Sequence, residues 1–575
     1  MKPLNENNLT EQSFIDWLKS GGYEYIYGPD INPGQQKAGR EDFQSVILKD
    51  RLLGAIRRIN PSLPAQQAER IVKDISEYNN TDLVLGNKEI FSWITDGKKH
   101  SWRADSEEKT DLVKLIDFNN ADANEFLVVN QFTVQGLNSI CRFDAVIFVN
   151  GLPLSVFELK SAVRESASIG EAFRQVENYK KEIPKLFLFN QIIGLSDLVN
   201  AKHGTISSSW ERYGTWKGVE SDDDVSKRSS QLEILTKGLF DKKRFLDVLQ
   251  NFIVFEADGD GEAFTYTKKM CLYHQYYGVN KTVESTIQAI RGEQDRKIGV
   301  FWHTQGSGKS LSMVFYVNKI KRIDTLRSPA YVFLTDREDL DDQLFKTFSR
   351  TGYNTLAKRA SSIKDLRDRL GHLGSELIFT TIQKFQEDPD ADNVLTNRDN
   401  IIVLADEAHR TQYSLLASNV RQALPNASFL GVTGTPISQN DKDTVRIFGP
   451  IVSEYRIGRA VKDGATVPIY YEGRLVPLHL ADKFIDSKFD DLLGEIVVDE
   501  KTKARKEWAV LEEIVGSQSR IEQVAKDIVA HFNNRPIEGK AMIVTMSRRI
   551  AVAMYKQIQK ISEAPECAVV ISNLD

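Results

Sequence analysis

Residues 142–149 and 154–160 are apolar runs of strand length separated by Asn150-Gly151-Leu152-Pro153, a pattern that predicts two neighbouring strands joined by a turn. Three ionisable side chains interrupt them: Asp144 in the first run, Glu158 and Lys160 in the second. Further on, 297–302 and 400–405 are short, unbroken apolar runs, the pattern of strands covered on both faces. From residue 263 onward such runs alternate with amphipathic helical patterns in βαβ style, which predicts a parallel sheet. Between the two halves, 231–255 reads as a helical segment rich in Leu and Phe. Two polar breaks bound it. Gly218-Val219-Glu220-Ser221-Asp222-Asp223-Asp224 reads as an acidic surface loop closing an N-terminal domain, and Ala257-Asp258-Gly259-Asp260-Gly261-Glu262 as a flexible joint. The expected fold class is α/β: a mixed-sheet domain over 1–225, a helical linker over 226–262, a parallel-sheet lobe over 263–465 and the start of a second such lobe over 466–575.

The composition fits this division. With 575 residues, 41% hydrophobic and 27% charged, the chain can build several cores and has the character of neither a disordered tract nor a collagen-like repeat. A net charge of −5 leaves nucleic-acid binding to local basic grooves. Cys141, Cys271 and Cys567 lie too far apart for a disulfide framework or the paired spacing of a zinc site. The first residues lack an apolar export core, and no run approaches the roughly 18 apolar residues of a membrane span. The expectation is a soluble, cytoplasmic protein without membrane contact.

The strand at 297–302 passes into His303-Thr304-Gln305-Gly306-Ser307-Gly308-Lys309-Ser310, followed by a helical pattern from Leu311. Strand, glycine-rich turn and helix start make a phosphate-binding loop. Gly306 and Gly308 allow backbone N–H groups close to phosphate, Lys309 reaches the β and γ phosphates, and Ser310 can hold Mg²⁺; Thr304 and Ser307 complete the candidate loop. His303 stands where the strict pattern has its first glycine. The strand at 400–405 ends in Asp406-Glu407-Ala408-His409. Asp406 can bind Mg²⁺ through water, Glu407 can polarise the water that attacks the γ phosphate, and His409 would couple nucleotide state to neighbouring elements. ATP and Mg²⁺ are the cofactors this pair of motifs implies.

These motifs resemble those of superfamily 2 DNA or RNA translocases with RecA-like lobes. The resemblance extends to Gln275, which matches the adenine-reading glutamine, and to Thr433-Gly434-Thr435-Pro436, which matches the motif linking hydrolysis to movement, with Thr435 on the nucleotide side. Leu334-Thr335-Asp336-Arg337 and Phe379-Thr380-Thr381-Ile382-Gln383 each follow an apolar strand; they read either as donors to a nucleic-acid backbone or as ordinary strand-exit turns. Ala541-Met542-Ile543-Val544-Thr545-Met546-Ser547-Arg548 resembles the first strand and turn of the second lobe. No later motif with paired arginines follows it, so the chain is expected to hydrolyse ATP poorly by itself and to be part of a longer protein.

In the N-terminal half, burying Asp144, Glu158 and Lys160 costs several kcal/mol each unless a metal or partner compensates. Glu158 and Lys160 share one strand face. Asp144 stands directly opposite Glu158 if Val149 pairs with Pro153, which leaves a three-residue loop, 150–152. Two such carboxylates can hold Mg²⁺ while Lys160 orients water and stabilises phosphate charge. The alternative is a structural salt bridge, since Glu107-x-Lys109 and Glu538-x-Lys540 also satisfy Glu-x-Lys. Gln175 and Tyr179, at i and i+4 on the next helix, share a face that can approach the same site; core packing is the other reading of Tyr179. The set resembles RecB-like PD-(D/E)xK nucleases of restriction-endonuclease-like fold, whose helix carries Gln-x-x-x-Tyr.

Nuclease and motor motifs in this order, with Asn150-Gly151-Leu152-Pro153, Phe245-Leu246-Asp247-Val248-Leu249 and Asp406-Glu407-Ala408-His409-Arg410-Thr411-Gln412 as they stand, resemble the restriction (R) subunit of type I restriction-modification enzymes. The resemblance implies ATP-driven translocation of double-stranded DNA and nonspecific cleavage remote from the recognition site. It also implies a complex with methyltransferase (M) and specificity (S) subunits. A repair helicase-nuclease is the alternative enzyme, and a nucleotide- or DNA-binding fragment without turnover the alternative of another class.

Overall fold

The computed structural model describes residues 9–35, 39–104, 107–160, 169–222, 229–259, 264–336, 338–372, 374–385, 394–406, 419–435, 442–473, 512, 515–535 and 539–571. They form two compact units, 1–467 and 468–575.

The first unit holds two large sheets. The N-terminal one has six strands in the order β1-β4-β5-β6-β7-β8, namely β1 (Glu24–Tyr27), β4 (Phe126–Gln135), β5 (Ile140–Val149), β6 (Leu152–Leu159), β7 (Ile192–Ser196) and β8 (Ala201–Gly204). It is mixed: β1 runs parallel to β4 and β6 to β7, while β4-β5, β5-β6 and β7-β8 are antiparallel. Strands β2 (Lys98–Ala104) and β3 (Glu107–Val113) form a separate hairpin. Helices Leu9–Ser20 and Ile169–Glu182 bring the sheet's polar chemistry together, as described below.

The β5–β6 turn follows from two residues. Asn150 and Gly151 both have positive φ, +52° and +80°, the conformation of a two-residue type I′ hairpin turn. A Cβ on Gly151 would lie 2.5 Å from the Leu48 carbonyl, so only glycine fits. The Asn150 side chain is buried and satisfied: its Nδ2 donates to Leu115 O and Asn124 Oδ1, and its Oδ1 accepts from Glu125 N. The loop therefore has two residues, not the expected three, and Val149 pairs with Leu152 instead of Pro153. A bulge corrects the count. Phe148 pairs with Pro153 but Ile147 with Ser155, so Leu154 is the extra residue, and beyond it Ala145 faces Phe157. Continuing that register sets Asp144 opposite Glu158; without the bulge the slip would send Glu158 to the other face.

The expected helical linker is two helices, Gln231–Leu239 and Lys242–Asn251, capped by Ser230 and Asp241, followed directly by a strand. That strand, β9 (Ile253–Asp258), pairs antiparallel with β10 (Thr265–Met270), so the described start of the expected joint, Ala257 and Asp258, is strand. Its apolar run, Ile253-Val254-Phe255, finds a strand partner, which overrides the helical reading. The acidic break is corrected too over its described part, 218–222. Asp222 is buried and accepts from Lys281 and Arg459, and Tyr277 Oη donates to the Gly218 and Val219 carbonyls. Trp216 packs on Tyr276 and Tyr277. Apolar contact and compensating charge turn a sequence that looked solvated into a wedge between the halves of the unit, and one continuous core runs from Phe14 to Ala460.

The second sheet has seven strands, all parallel, in the order β13-β14-β12-β15-β16-β11-β17: β11 (Lys297–His303), β12 (Ala330–Thr335), β13 (Ala357–Arg359), β14 (Leu377–Thr381), β15 (Ile401–Asp406), β16 (Ser428–Thr433) and β17 (Ile451–Tyr455). Its central strands are buried along their length, as their unbroken apolar runs require. Helices Tyr273–Ile290 and Lys309–Lys321 pack together beside β11.

In the second unit, helices Gln518–Asn533 and Arg548–Ile558 pack through Ile521, Ala525, Val529, Ile550, Met554 and Ile558. Residues 541–546, expected as a strand, form none, and Met542 and Val544 stand exposed without a paired strand among the described residues. No described helix is long and apolar enough to cross a membrane.

Candidate functional site

On the N-terminal sheet, Asp144, Glu158, Lys160, Gln175 and Tyr179 come together. Asp144 Oδ2 accepts from Leu159 N at 2.8 Å across the strand pair. Lys160 Nζ donates to Glu158 Oε1 at 2.7 Å and to Gln175 Oε1 at 2.5 Å. Gln175 Nε2 donates to Tyr179 Oη at 2.5 Å, and Tyr179 Oη donates to the Arg142 carbonyl at 3.0 Å. The relay starts at an acid on β6, crosses the helix Ile169–Glu182 and closes on β5 two residues from Asp144. Both open readings of Lys160 and Tyr179 therefore hold in part: Lys160 does pair with a carboxylate, and the Tyr179 ring does pack, against Phe143.

The electrostatics are those of acids stored in a core. Burial pushes both Asp144 and Glu158 above the usual carboxylate range, and for Glu158 the neighbouring Asp144 charge adds to the rise. Tyr179 is raised by burial and then by Glu158, so it stays a donor. Glu158 Oε2 is buried and receives no hydrogen from a donor among the described residues; the Asp144 carboxyl is its hydrogen-bonding neighbour. A carboxylate oxygen without a donor beside a second acid suits a divalent cation. Among the described residues no three His, Cys, Asp or Glu side chains converge into a metal cage. Two carboxylates match Mg²⁺, which keeps several waters and takes its remaining ligands from phosphate.

One neighbour escaped the sequence. Glu11, in the first turn of Leu9–Ser20, accepts from Asn130 and, at 2.7 Å, from Gln131 Nε2, whose residue falls opposite Asp144 between the pairs Asn130–Ala145 and Phe132–Phe143. Burial raises Glu11, and the Asp144 charge acts in the same direction. Thr10 Oγ1 donates to the Lys160 carbonyl at 3.2 Å, fixing that helix start at the site. In sequence a first-turn glutamate signals only a helix start.

On the second sheet, the strand ends gather the nucleotide motifs. His303 ends β11, Asp406 ends β15 and Thr433 ends β16, with Asp406 beside Val432 and Trp302 beside Thr433. Gly306 and Gly308 both have φ of +80°, and Gly308 caps the helix Lys309–Lys321. A Cβ on Gly434 would lie 2.6 Å from Lys309 Nζ, which sets the ammonium against the Thr433-Gly434-Thr435 turn. Thr304 N donates to Tyr455 O, and Ser307 N to Thr304 O, shaping the loop ahead of Ser310. His303 needs no glycine conformation, because it is still strand; it is buried, stacks on Phe301 and bonds Ser453 Oγ at 2.8 Å. Gln275 is part of the loop's scaffold: its Oε1 accepts from Leu272 N, and its Nε2 donates to Gly308 O at 3.1 Å and Ser312 Oγ at 3.3 Å. Gln383 Nε2 donates to Asp336 O at 2.6 Å, tying the exits of β14 and β12 together. Glu407 and His409 lie outside the described residues, as do Arg337 and Pro436.

Residues 3–212 match the family described as the N terminus of the type I restriction enzyme R protein, and 274–504 match the SWI2/SNF2 ATPase family. A Methanocaldococcus jannaschii protein named as the type I restriction enzyme MjaIXP endonuclease subunit is 40% identical, over 99% of this chain and 56% of that protein. The HindI endonuclease subunit of Haemophilus influenzae is 40% identical, over 96% of this chain and 54% of its own. The chain belongs to the type I restriction enzyme endonuclease subunits. It spans about half the length of these two relatives. Among solved structures, the helicase domain of Pyrococcus furiosus Hef is similar at 17% identity, with a TM-score of 0.27 over 44% of this chain and 56% of that one. For a type I endonuclease subunit, the N-terminal match spans the acid pair, and the ATPase match spans the loop at 303–310.

Proposed function

We propose that this chain carries the nuclease domain and the first motor lobe of a type I restriction endonuclease subunit, one that uses ATP to translocate double-stranded DNA and cuts it nonspecifically, remote from the recognition site. The observation that carries the reading is the pair of half-buried Asp144 and buried Glu158, both raised, with Lys160 held between Glu158 and Gln175. Mg²⁺ held by Asp144 and Glu158 would supply Lewis-acid stabilisation of the phosphate and a more acidic bound water. Lys160 places its ammonium where charge develops on the phosphate, and Gln175 fixes it there. Tyr179 holds Gln175 and the β5 backbone in one frame, and Glu11 adds a third carboxylate on the Asp144 side.

In the motor lobe, the backbone donors of Gly306 and Gly308 cradle phosphate in a loop that Thr304 and Ser307 shape, and Lys309 neutralises the β and γ oxygens. Ser310 and Asp406 would hold its Mg²⁺, Glu407 orients the attacking water, and Gln275, His409 and Thr435 tie nucleotide to neighbouring elements. Duplex DNA, the M and S subunits and the cytoplasm complete the proposal. Testing it needs the full-length chain assembled with those subunits. Asp144→Ala is expected to abolish cutting while ATP turnover continues; equal cutting by variant and parent would overturn the nuclease reading.

A further inference from the structure

Strand β5 carries a third polar side chain on the face of the acids. Period-2 geometry puts Ile140, Arg142 and Asp144 on one side of the strand, and their exposure grades outward: Asp144 is half-buried, Arg142 exposed, and Ile140 is 65% exposed. The line from the acid pair thus runs past Arg142 into open solvent, where a macromolecular substrate has access. The Arg142 guanidinium makes no hydrogen bond and no ion pair among the described residues, although two carboxylates stand nearby. Its charge lowers both Asp144 and Glu11, yet it closes a salt bridge with neither. Its backbone, by contrast, is held: Tyr179 Oη donates to the Arg142 carbonyl at 3.0 Å, the last link of the relay from Lys160. A cation with a fixed root and a free head, beside a site that handles phosphodiesters, is built to receive a phosphate.

We infer that Arg142 anchors a backbone phosphate of the DNA strand being cut, within about two nucleotides of the one held at Asp144 and Glu158. This rests on the nuclease reading above and extends it to substrate positioning. The Cα separation from Asp144 is about 7 Å along the strand, comparable with about two nucleotides of duplex rise at about 3.4 Å each. A guanidinium fork suits phosphate oxygens better than an ammonium, because it can give two parallel charge-assisted hydrogen bonds. Gln175 and Tyr179 then act on both cations at once, because one relay sets the height of Lys160 over the reacting phosphate and the position of Arg142 beside the anchored one.

The test uses the full-length chain in the assembly that cuts DNA, comparing Arg142→Ala, Arg142→Lys and Asp144→Ala. Arg142→Ala is expected to slow cutting about tenfold or more with ATP turnover within twofold of the parent, and Arg142→Lys to recover part of the loss. A plot of log cutting rate against log salt should become shallower by about one for the alanine variant, the mark of one lost phosphate contact. Raising the pH should not rescue it. Unchanged cutting and an unchanged salt slope would overturn the inference. So would full recovery at alkaline pH, since that assigns Arg142 only to keeping Asp144 and Glu11 ionised. If Asp144→Ala also cuts like the parent, the nuclease reading itself has failed; if Asp144→Ala is dead and Arg142→Ala cuts like the parent, only the anchor has.

Discussion

The two sites of the first unit are built on opposite plans. On the N-terminal sheet the chemistry lies in side chains that interrupt buried strands, and each is fixed by another side chain: Glu158 by Lys160, Lys160 by Gln175, Gln175 by Tyr179. On the parallel sheet the chemistry lies mostly in backbone at strand ends, where Gly306 and Gly308 leave N–H groups open to a ligand. The first arrangement stores acids in the core above their ordinary pKa range, a standing cost that the proposed divalent cation would offset. The second stores little, because strand ends and helix starts are solvated until phosphate arrives. A side-chain relay is therefore brittle, while a backbone cradle is robust.

The sharpest way to break that comparison is to remove one group from each site. Asp144→Ala or Glu158→Ala should lower cutting by about 10³-fold or more, several kcal/mol of transition-state stabilisation, with ATP turnover retained. Lys309→Ala should remove ATP turnover by a similar factor and, under the proposed coupling of cutting to translocation, cutting as well. Cleavage and ATPase assays on the same assembly would read this asymmetry. Cutting that survives Lys309→Ala at full rate would separate the two sites. Next in size is the relay: Gln175→Ala leaves Lys160 held by Glu158 alone and should cost about 10–100-fold in cutting, whereas Tyr179→Phe keeps the ring on Phe143 and loses the two hydrogen bonds of its hydroxyl, about 1 kcal/mol each or up to roughly thirtyfold together.

The same contrast governs what the sequence revealed. Charges inside apolar strands are visible without coordinates, so Asp144, Glu158 and Lys160 stood out, and helical spacing alone put Gln175 and Tyr179 on one face. The bulge at Leu154 was not visible: it follows from Gly151 being pressed against Leu48, a contact about a hundred residues away in sequence, and it restores the register that the shorter turn would have broken. Glu11 was hidden for the same reason, since only the fold brings a first-turn glutamate beside Asp144. Asp222 misled because an acidic run looks solvated until Lys281 and Arg459 are placed around it. In the motor lobe the motifs announced themselves through backbone chemistry, but Gln275 as a brace between its helix cap and the loop is a property of packing.

A smaller effect sharpens the cost of the acid pair. A carboxyl whose folded pKa is raised binds its proton more tightly in the native chain, so stability falls as pH rises above its unfolded value near 4.5. Glu158→Gln should accordingly raise the melting temperature by a few degrees at pH 8 without divalent cation, because a pKa held one pH unit higher in the fold corresponds to about 1.4 kcal/mol. Adding Mg²⁺ should stabilise the parent and leave the variant nearly unmoved. Equal Mg²⁺ stabilisation of both in a thermal melt would show that the pair is not where the cation acts.

The smallest effect has the opposite sign of pH dependence. His274 and His303 are buried beside the phosphate loop, His274 stacked on Tyr455 at 3.9 Å with Nε2 3.2 Å from the Ser307 carbonyl. Burial lowers His274 to about 4 and holds His303 well below its ordinary value, and His203, buried against Trp216, is lowered to about 4 in the N-terminal half. Each imidazole is protonated in the unfolded chain below its ordinary value near 6.5 but stays neutral in the fold. The unfolded state then binds more protons, so stability is full above pH 6.5 and drains as pH falls toward 4, by up to about 1.4 kcal/mol per pH unit for each group. His274→Phe keeps an aromatic face on Tyr455 and removes one such proton. Melts between pH 7 and pH 5 should lose less for this variant than for the parent, with no sensitivity to Mg²⁺ in the difference. An identical acid slope in both would mean that the imidazole beside the phosphate loop is already open to protonation in the folded chain.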